Sequence, residues 1–312
     1  MSTETTINAR CVLPYPEWNS KLAGLALNYA ESYPIPHVFL KDFLAPDIAL
    51  AAAREFPAPD RANWTHWQHH NENKHGITKL DLFPSLLRDV VHELNSPDFL
   101  KWLSRLTGIA DLLADPLLDG GGLHLANRGG FLNVHTDFSH HHYHKTWRRR
   151  LNLILYLNEE WSPEWGGAIE LWDSRMQLCA AKYPPLLNHV LIFNTDDHSF
   201  HGFPEPLTCP DETARKSLAL YYYTTDPGPC QRIRSTNFRA RPGDGLRKAT
   251  LIWLDKQAVH IYSRMKARFG FSDDFASRML GRFSTKGIRG ANRGSEADGR
   301  GFRPGSSSTP QV

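Results

Sequence analysis

The chain has 312 residues, 41% of them hydrophobic and 22% charged, with a formal net charge of +3. This is the profile of a globular protein long enough for one large domain or a core with additions, and it excludes collagen-like, wholly disordered and disulfide-scaffold chains. The charge excess lies entirely from Lys286 onward, where five basic residues face two acidic ones, so the body is neutral and nucleic-acid binding is not expected. Cys11, Cys179, Cys209 and Cys230 lack the spacing of a zinc site or a disulfide framework and fit a reducing, cytoplasmic setting. No run approaches the roughly 18 apolar residues of a membrane span, and the polar N-terminus shows no secretory leader.

In chain order, residues 1–33 carry few regular signals. Pro34 to Leu44 reads as a strand entering the domain, and Pro46 to Phe56 as a helix with proline tolerated in its first turn. Asn63 to Gly76 is polar, aromatic and aperiodic, a surface loop or a lid that touches substrate. Helices follow near Pro84 to Asn95 and Pro97 to Leu106, the first with Leu86, Leu87, Val90, Val91 and Leu94 at helical spacing.

From Gly120 to Thr224 short strands alternate with turns, which predicts an all-β core with flanking helices, an antiparallel double-stranded barrel or jelly roll. In Phe131 to Asp137, alternation sends Phe131, Asn133, His135 and Asp137 to one side, so an imidazole and a carboxylate converge and supply two ligands for a divalent metal. A lone His-x-Asp is uninformative in a chain with 16 histidines, and an ordinary hydrogen-bonded pair is the competing explanation. His140, His141, His142 and His144 follow as a cluster best read as a solvated loop near the cavity mouth; Arg148 to Arg150 could meet an anionic substrate, but three consecutive residues cannot all face inward and they are left out of the site. In Arg149 to Asn158, Leu151, Leu153, Leu155 and Leu157 form one face and Arg150, Asn152, Ile154 and Tyr156 the other, making Asn152 and Tyr156 candidates for a cavity wall.

His189 to Thr195 reads as a buried strand, followed by His198-Ser-Phe-His201-Gly-Phe-Pro204. Arg215 to Thr224 reads as another strand, with Arg215, Ser217, Ala219 and Tyr221 on one face. Lys248 to Phe269 is a predicted helix striped by Leu251, Leu254, Ala258, Ile261, Tyr262 and Met265. It would dock on the domain, pair with a second copy or lie on a membrane surface, and Ser272 caps another helix.

The order of His135-x-Asp137, then His201-Gly-x-Pro 64 positions later, then Arg215-x-Ser217 after 14 more resembles the Fe(II)- and 2-oxoglutarate-dependent oxygenases, most closely their prolyl 4-hydroxylase-like branch. The resemblance covers about 120 to 226. It implies a double-stranded β-helix, Fe(II) held by His135, Asp137 and His201, and 2-oxoglutarate and O2 as cosubstrates, with ascorbate as an accessory reductant. His201 is preferred to His198 because it carries the Gly-x-Pro context. The far carboxylate of 2-oxoglutarate is a buried anion suited to a guanidinium, which points to Arg215 with Ser217 on the same face and Tyr156 nearby; alternation turns Lys216, the competing cation, away. In related halogenases a small residue replaces the carboxylate ligand, so Asp137 favours hydroxylation.

Four segments are therefore expected: an N-terminal strand and helix support region over 1–119, the dioxygenase core over 120–226, a helical extension over 227–284 and a disordered basic tail over 285–312. The expected activity is hydroxylation of an unactivated carbon in a peptidyl (prolyl-like), amino-acid, natural-product or glycan substrate, releasing succinate and CO2. From another class, a catalytically silent metal- or ligand-binding cupin-like barrel acting as a sensor stays open.

Overall fold

The computed structural model describes residues 12–60, 63–226 and 233–269. Its elements run α1 (Tyr15–Glu31), β1 (His37–Leu40), α2 (Pro46–Glu55), β2 (Thr65–His69), β3 (Glu72–Ile77), α3 (Ser85–Leu94), α4 (Pro97–Thr107), β4 (Leu113–Ala114), β5 (Gly122–Ala126), β6 (Phe131–Thr136) and β7 (Trp147–Tyr156). They continue with β8 (Ile169–Trp172), β9 (Cys179–Tyr183), β10 (Val190–Asn194), β11 (His201–Phe203), β12 (Arg215–Thr225), β13 (Asn237–Phe238) and α5 (Leu246–Phe269). No helix among the described residues is long and apolar enough to cross a membrane.

The leucine alternation of β7 decides where the core lies. Leu151, Leu153, Leu155 and Leu157 are all buried and share one apolar cluster with Leu218, Leu220 and Tyr222 of β12 and with the inner faces of α1 to α4. Strands β1, β10, β7, β12 and β5 make one wall, and β6, β11, β8 and β9 the other, with β3 hydrogen-bonded to both β5 and β6. The strand pairings are antiparallel. Tyr156, Leu191 and Phe193 of the first wall pack with Ile169 and Leu171 of the second, so the sheet folds over itself as a double-stranded β-helix.

Three departures from sequence expectation have physical causes. The N-terminal region contains helix α1, whose Trp18, Leu22 and Tyr29 are buried; it has no side-chain cap, and its order comes from tertiary packing. Trp18 Nε1 donates to the Phe43 carbonyl at 3.0 Å and Tyr29 OH to Asn194 Oδ1 at 2.6 Å. The stretch Asn63 to Gly76 is no loop but mostly a β-hairpin, aperiodic because both of its faces are covered. On one face His66 and His75 stack at 4.0 Å; on the other Trp67 lies over Gly76, where a Cβ would sit 2.1 Å from the indole. In α5 the predicted stripe is split: Leu254 and Ile261 are exposed, as is Trp253, Leu251 and Ala258 are half-buried, and Ile252 and Asp255, outside the stripe, turn inward. The expected helix from Ser272 and the tail over 285–312 lie outside the described residues.

A buried ionic cluster fixes that turn of α5. Asp255 Oδ2 accepts from His69 Nδ1 at 2.6 Å and from Asn71 Nδ2 at 2.6 Å, while His69 Nε2 donates to Glu72 Oε1 at 2.9 Å and Lys74 Nζ sits 3.3 Å from Glu72 Oε2. Burial alone would push His69 down, but the hydrogen bonds and charges of Asp255 and Glu72 outweigh it and raise its pKa to about 10. The imidazolium therefore contributes stability that is complete below its unfolded pKa of roughly 6.5 and fades as pH rises toward the folded value. We expect the difference in urea midpoint between wild type and His69→Gln to be largest near pH 6 and to shrink steadily toward pH 10. A difference that is flat across this range would show that His69 is neutral in the folded protein.

Candidate active site

Strand β11 pairs with β6 so that His201 lies directly opposite His135, their rings 4.5 Å apart. Asp137 follows the end of β6 and turns into the same space, with Oδ1 3.5 Å from His135 Nε2 and Oδ2 3.4 Å from His201 Nε2. The three donor atoms lie within 4.8 Å of one another. His135 Nδ1 donates to the Asn133 carbonyl at 2.9 Å and His201 Nδ1 to the Ser199 carbonyl at 2.8 Å. With those protons committed, both Nε2 lone pairs face the carboxylate, and two lone pairs and an anion converging in a buried site suit a divalent cation. His198, by contrast, is exposed and outside the cluster.

Asp137 is also held by Arg149 and Asn152, the first of which strict alternation misplaces. Between β7 and β12 the register shifts: Tyr222 pairs with Leu151 and Tyr223 with Arg149, leaving Arg150 as the extra residue of a β-bulge. The bulge rotates Arg149 off the leucine face and onto the cavity side. Its Nη2 lies 3.1 Å from Asp137 Oδ2, its Nε and Nη2 donate to Asn152 Oδ1 at 2.9 and 2.7 Å, and its guanidinium stacks 3.3 Å from the Tyr221 ring centroid. Asn152 Nδ2 in turn donates to Asp137 Oδ2 at 2.7 Å. Asn152 thus lines the cavity, with its Oδ1 taken by Arg149 and one of its two N–H groups by Asp137. Burial would push the Asp137 carboxyl up, yet Arg149 above all holds it well below the usual carboxylate range. Burial and His135, opposed by Asp137, leave His201 at about 4, so its ring is neutral at physiological pH.

Beside the donors lies a cavity whose lining includes Lys74, His124, Ile154, Arg215, Ser217 and Tyr221. Arg215 and Ser217 are buried on the β12 face that also carries Ala219 and Tyr221. Arg215 Nε donates to the Gly167 carbonyl at 2.8 Å, Nη2 lies 3.4 Å from the Tyr156 hydroxyl, and the Phe203 ring covers it at 4.2 Å. Among the described residues no carboxylate pairs with it. The two guanidiniums of the barrel therefore differ: burial lowers the pKa of Arg215, whereas burial of Arg149 is overcome by Asp137 and its pKa rises. Lys216 turns away and sits over Phe56, 5.9 Å from its ring centre. The histidine cluster is not a solvated loop throughout, since His140 and His141 are buried and His141 Nε2 lies 3.2 Å from Asp115 Oδ1.

Residues 121–223 match the family model described as the 2OG-Fe(II) oxygenase superfamily, a stretch that holds His135, Asp137, His201 and Arg215 together. That stretch is similar to a 2OG-Fe(II) oxygenase domain. Over 143 residues the chain is 30% identical to the mouse (Mus musculus) prolyl 3-hydroxylase OGFOD1; the match takes in 45% of this chain and 23% of that protein, so the chain spans about a quarter of its relative's length. Among solved structures, a Pseudomonas putida prolyl-4-hydroxylase is 17% identical with a TM-score of 0.48, covering 65% of this chain and 98% of that one. A Trichoplax adhaerens prolyl hydroxylase in complex with a hypoxia inducible factor peptide is 15% identical with a TM-score of 0.46, covering 67% and 92%.

For the metal-holding roles two outcomes are expected by Mn(II) titration followed by electron paramagnetic resonance. His201→Ala loses tight binding while His198→Ala keeps it, and equal loss in both would overturn the assignment of His201. Asn152→Ala weakens binding by about 10- to 100-fold, the usual cost of removing a partner that orients a ligand carboxylate.

Proposed function

We propose that the protein is an Fe(II)- and 2-oxoglutarate-dependent hydroxylase, with His135, Asp137 and His201 holding the iron and Arg215 receiving the far carboxylate of 2-oxoglutarate. The observation that carries this is the pairing of a three-donor cluster with a buried guanidinium that has no carboxylate among the described residues, in one cavity. A buried cation left unpaired is costly, and a bidentate carboxylate is the ligand that removes the cost. Ser217 adds a hydroxyl on the same face, and the Tyr156 hydroxyl beside Arg215 closes the anion site from β7.

With dioxygen, an iron and 2-oxoglutarate bound here supply an oxidant able to exchange an unactivated C–H for C–OH, with succinate and CO2 released; ascorbate would keep the iron reduced. The chain's own part is to hold and to shield. Asn133 and Ser199 carbonyls fix the two imidazoles, Arg149 and Asn152 fix the carboxylate, and the rings of Phe193 and Phe238 pack against His201 and His135. Because the donor set includes Asp137 in place of a small residue, hydroxylation is the expected outcome. The mouse relative's printed activity makes a prolyl carbon the first substrate to assay, followed by amino acids and glycans.

Arg215→Ala should weaken 2-oxoglutarate binding to the Mn(II)-loaded protein by about a hundredfold in isothermal titration, as expected when one partner of a buried ion pair is removed. Substrate-dependent succinate release from a panel of prolyl peptides, amino acids and glycans tests the activity itself. Wild-type protein that binds no 2-oxoglutarate would end this proposal.

A further inference from the structure

Helix α5 is apolar on two sides. Ile252 is buried and Asp255 turns in toward His69, which fixes the side that docks on the domain. Leu246, Trp253, Leu254 and Ile261 are each more than half exposed. At about 100° of rotation per residue these four fall within an arc of roughly 100°, centred opposite Ile252 and Asp255. They make a ridge about 22 Å long on the outside of the molecule. A surface helix ordinarily turns charged and polar residues outward, so a continuous row of large apolar side chains there, an indole among them, calls for a partner.

The charges of the helix indicate what kind. Over Leu246–Phe269 the sequence has Arg247, Lys248, Lys256, Arg264, Lys266 and Arg268 against one acid, Asp255, whose carboxylate is taken by His69 and Asn71. Lys248 pairs with Asp244, but Arg247 and Lys256 have no ion pair among the described residues, and by rotation they flank the ridge on opposite sides. Lys256 has a further cation near it: burial, together with Arg239, lowers its pKa. A second copy docked ridge to ridge would set these cations against their counterparts, with no acid on either ridge to relieve them. A nucleic acid would meet the cations and leave the leucines and the isoleucine uncovered. An anionic lipid surface satisfies both features at once, with headgroup charge beside Arg247 and Lys256 and the acyl boundary under the ridge, where an indole ring is favoured.

We propose that α5 is a peripheral membrane anchor, lying in the plane of an anionic lipid surface on Leu246, Trp253, Leu254 and Ile261 with Arg247 and Lys256 against the headgroups. It rests on the surface without crossing, since it is not apolar enough to span. The anchor uses no residue that lines the cavity, so it stands or falls independently of the hydroxylase assignment.

The test is co-sedimentation of the full chain with vesicles of phosphatidylcholine alone or of phosphatidylcholine and phosphatidylserine in equal parts, alongside fluorescence quenching by brominated lipid. Wild type should bind the mixed vesicles, bind pure phosphatidylcholine far more weakly, and let go as salt is raised. Trp253→Ala combined with Leu254→Ala, surface changes that should leave thermal unfolding unchanged, should weaken binding by about tenfold or more. Arg247→Gln and Lys256→Gln should each weaken it about fivefold. Trp253→Phe should keep binding and lose much of the quenching, the signature of an inserted indole. Wild type that ignores the mixed vesicles, or binds both kinds equally, overturns the anchor. So does binding that the Trp253 and Leu254 double variant keeps in full, which marks the basic segment from Lys286 onward or another cationic surface as the contact. A wild-type dimer in sedimentation velocity that the same double variant abolishes overturns it too, and marks the ridge as a contact between copies.

Discussion

Asp137 is where the fold's electrostatics meet. A carboxylate in the middle of a barrel is tolerated only if positive charge and hydrogen-bond donors reach it, and here both come from β7, as Arg149 and Asn152, while His135 of β6 and His201 of β11 face the same oxygens. The same contacts that make its burial tolerable orient its oxygens toward the two imidazoles. Stability and site geometry are thus one requirement. Removing Arg149 would release the carboxylate to rotate and leave its charge poorly compensated, whatever metal is present.

The apolar side of the structure exists to hold those strands in register. Leucines on alternate positions of β7 and β12 bury themselves against four helices, which leaves the opposite face of the same strands free to be polar and to line the cavity. The β2–β3 hairpin and α5 complete the enclosure through the Asp255–His69–Glu72 cluster, and His69 also meets Phe238 edge-on, the ring that packs on His135. The outer face of α5, with Trp253 and Leu254 exposed, takes no part in this enclosure.

Much of this is legible in the residue order, because a period of two survives wherever a strand is regular. His135 and Asp137, the leucine face of β7, and Arg215 with Ser217 on β12 follow from alternation alone. Legibility stops where regularity does. Arg149 escapes because one bulged residue reverses the parity of everything before it. The hairpin escapes because Trp67 and His66 find partners on opposite faces, Gly76 and His75, which erases the polar/apolar contrast that marks a half-buried strand. Helix α1 carried a readable stripe in Trp18, Leu22 and Tyr29 but lacks a cap to announce it. The inward turn of α5 depends on a single aspartate meeting a histidine 186 positions away, a pairing that no local pattern encodes.

The stretch that matches the oxygenase family runs only from 121 to 223, yet the sheet it belongs to does not end at those limits. Strand β1 caps β10 on one edge, β3 bridges the two walls, and β13 lies along β6 beside His135, all three contributed by sequence outside the match. Cut out by itself, that central piece would bare the backbone of β5, β6 and β10 and forfeit the seam that joins its halves, inviting self-association through open strand edges. Evolutionary recognisability and physical self-sufficiency therefore have different borders in this molecule, and the second is the wider.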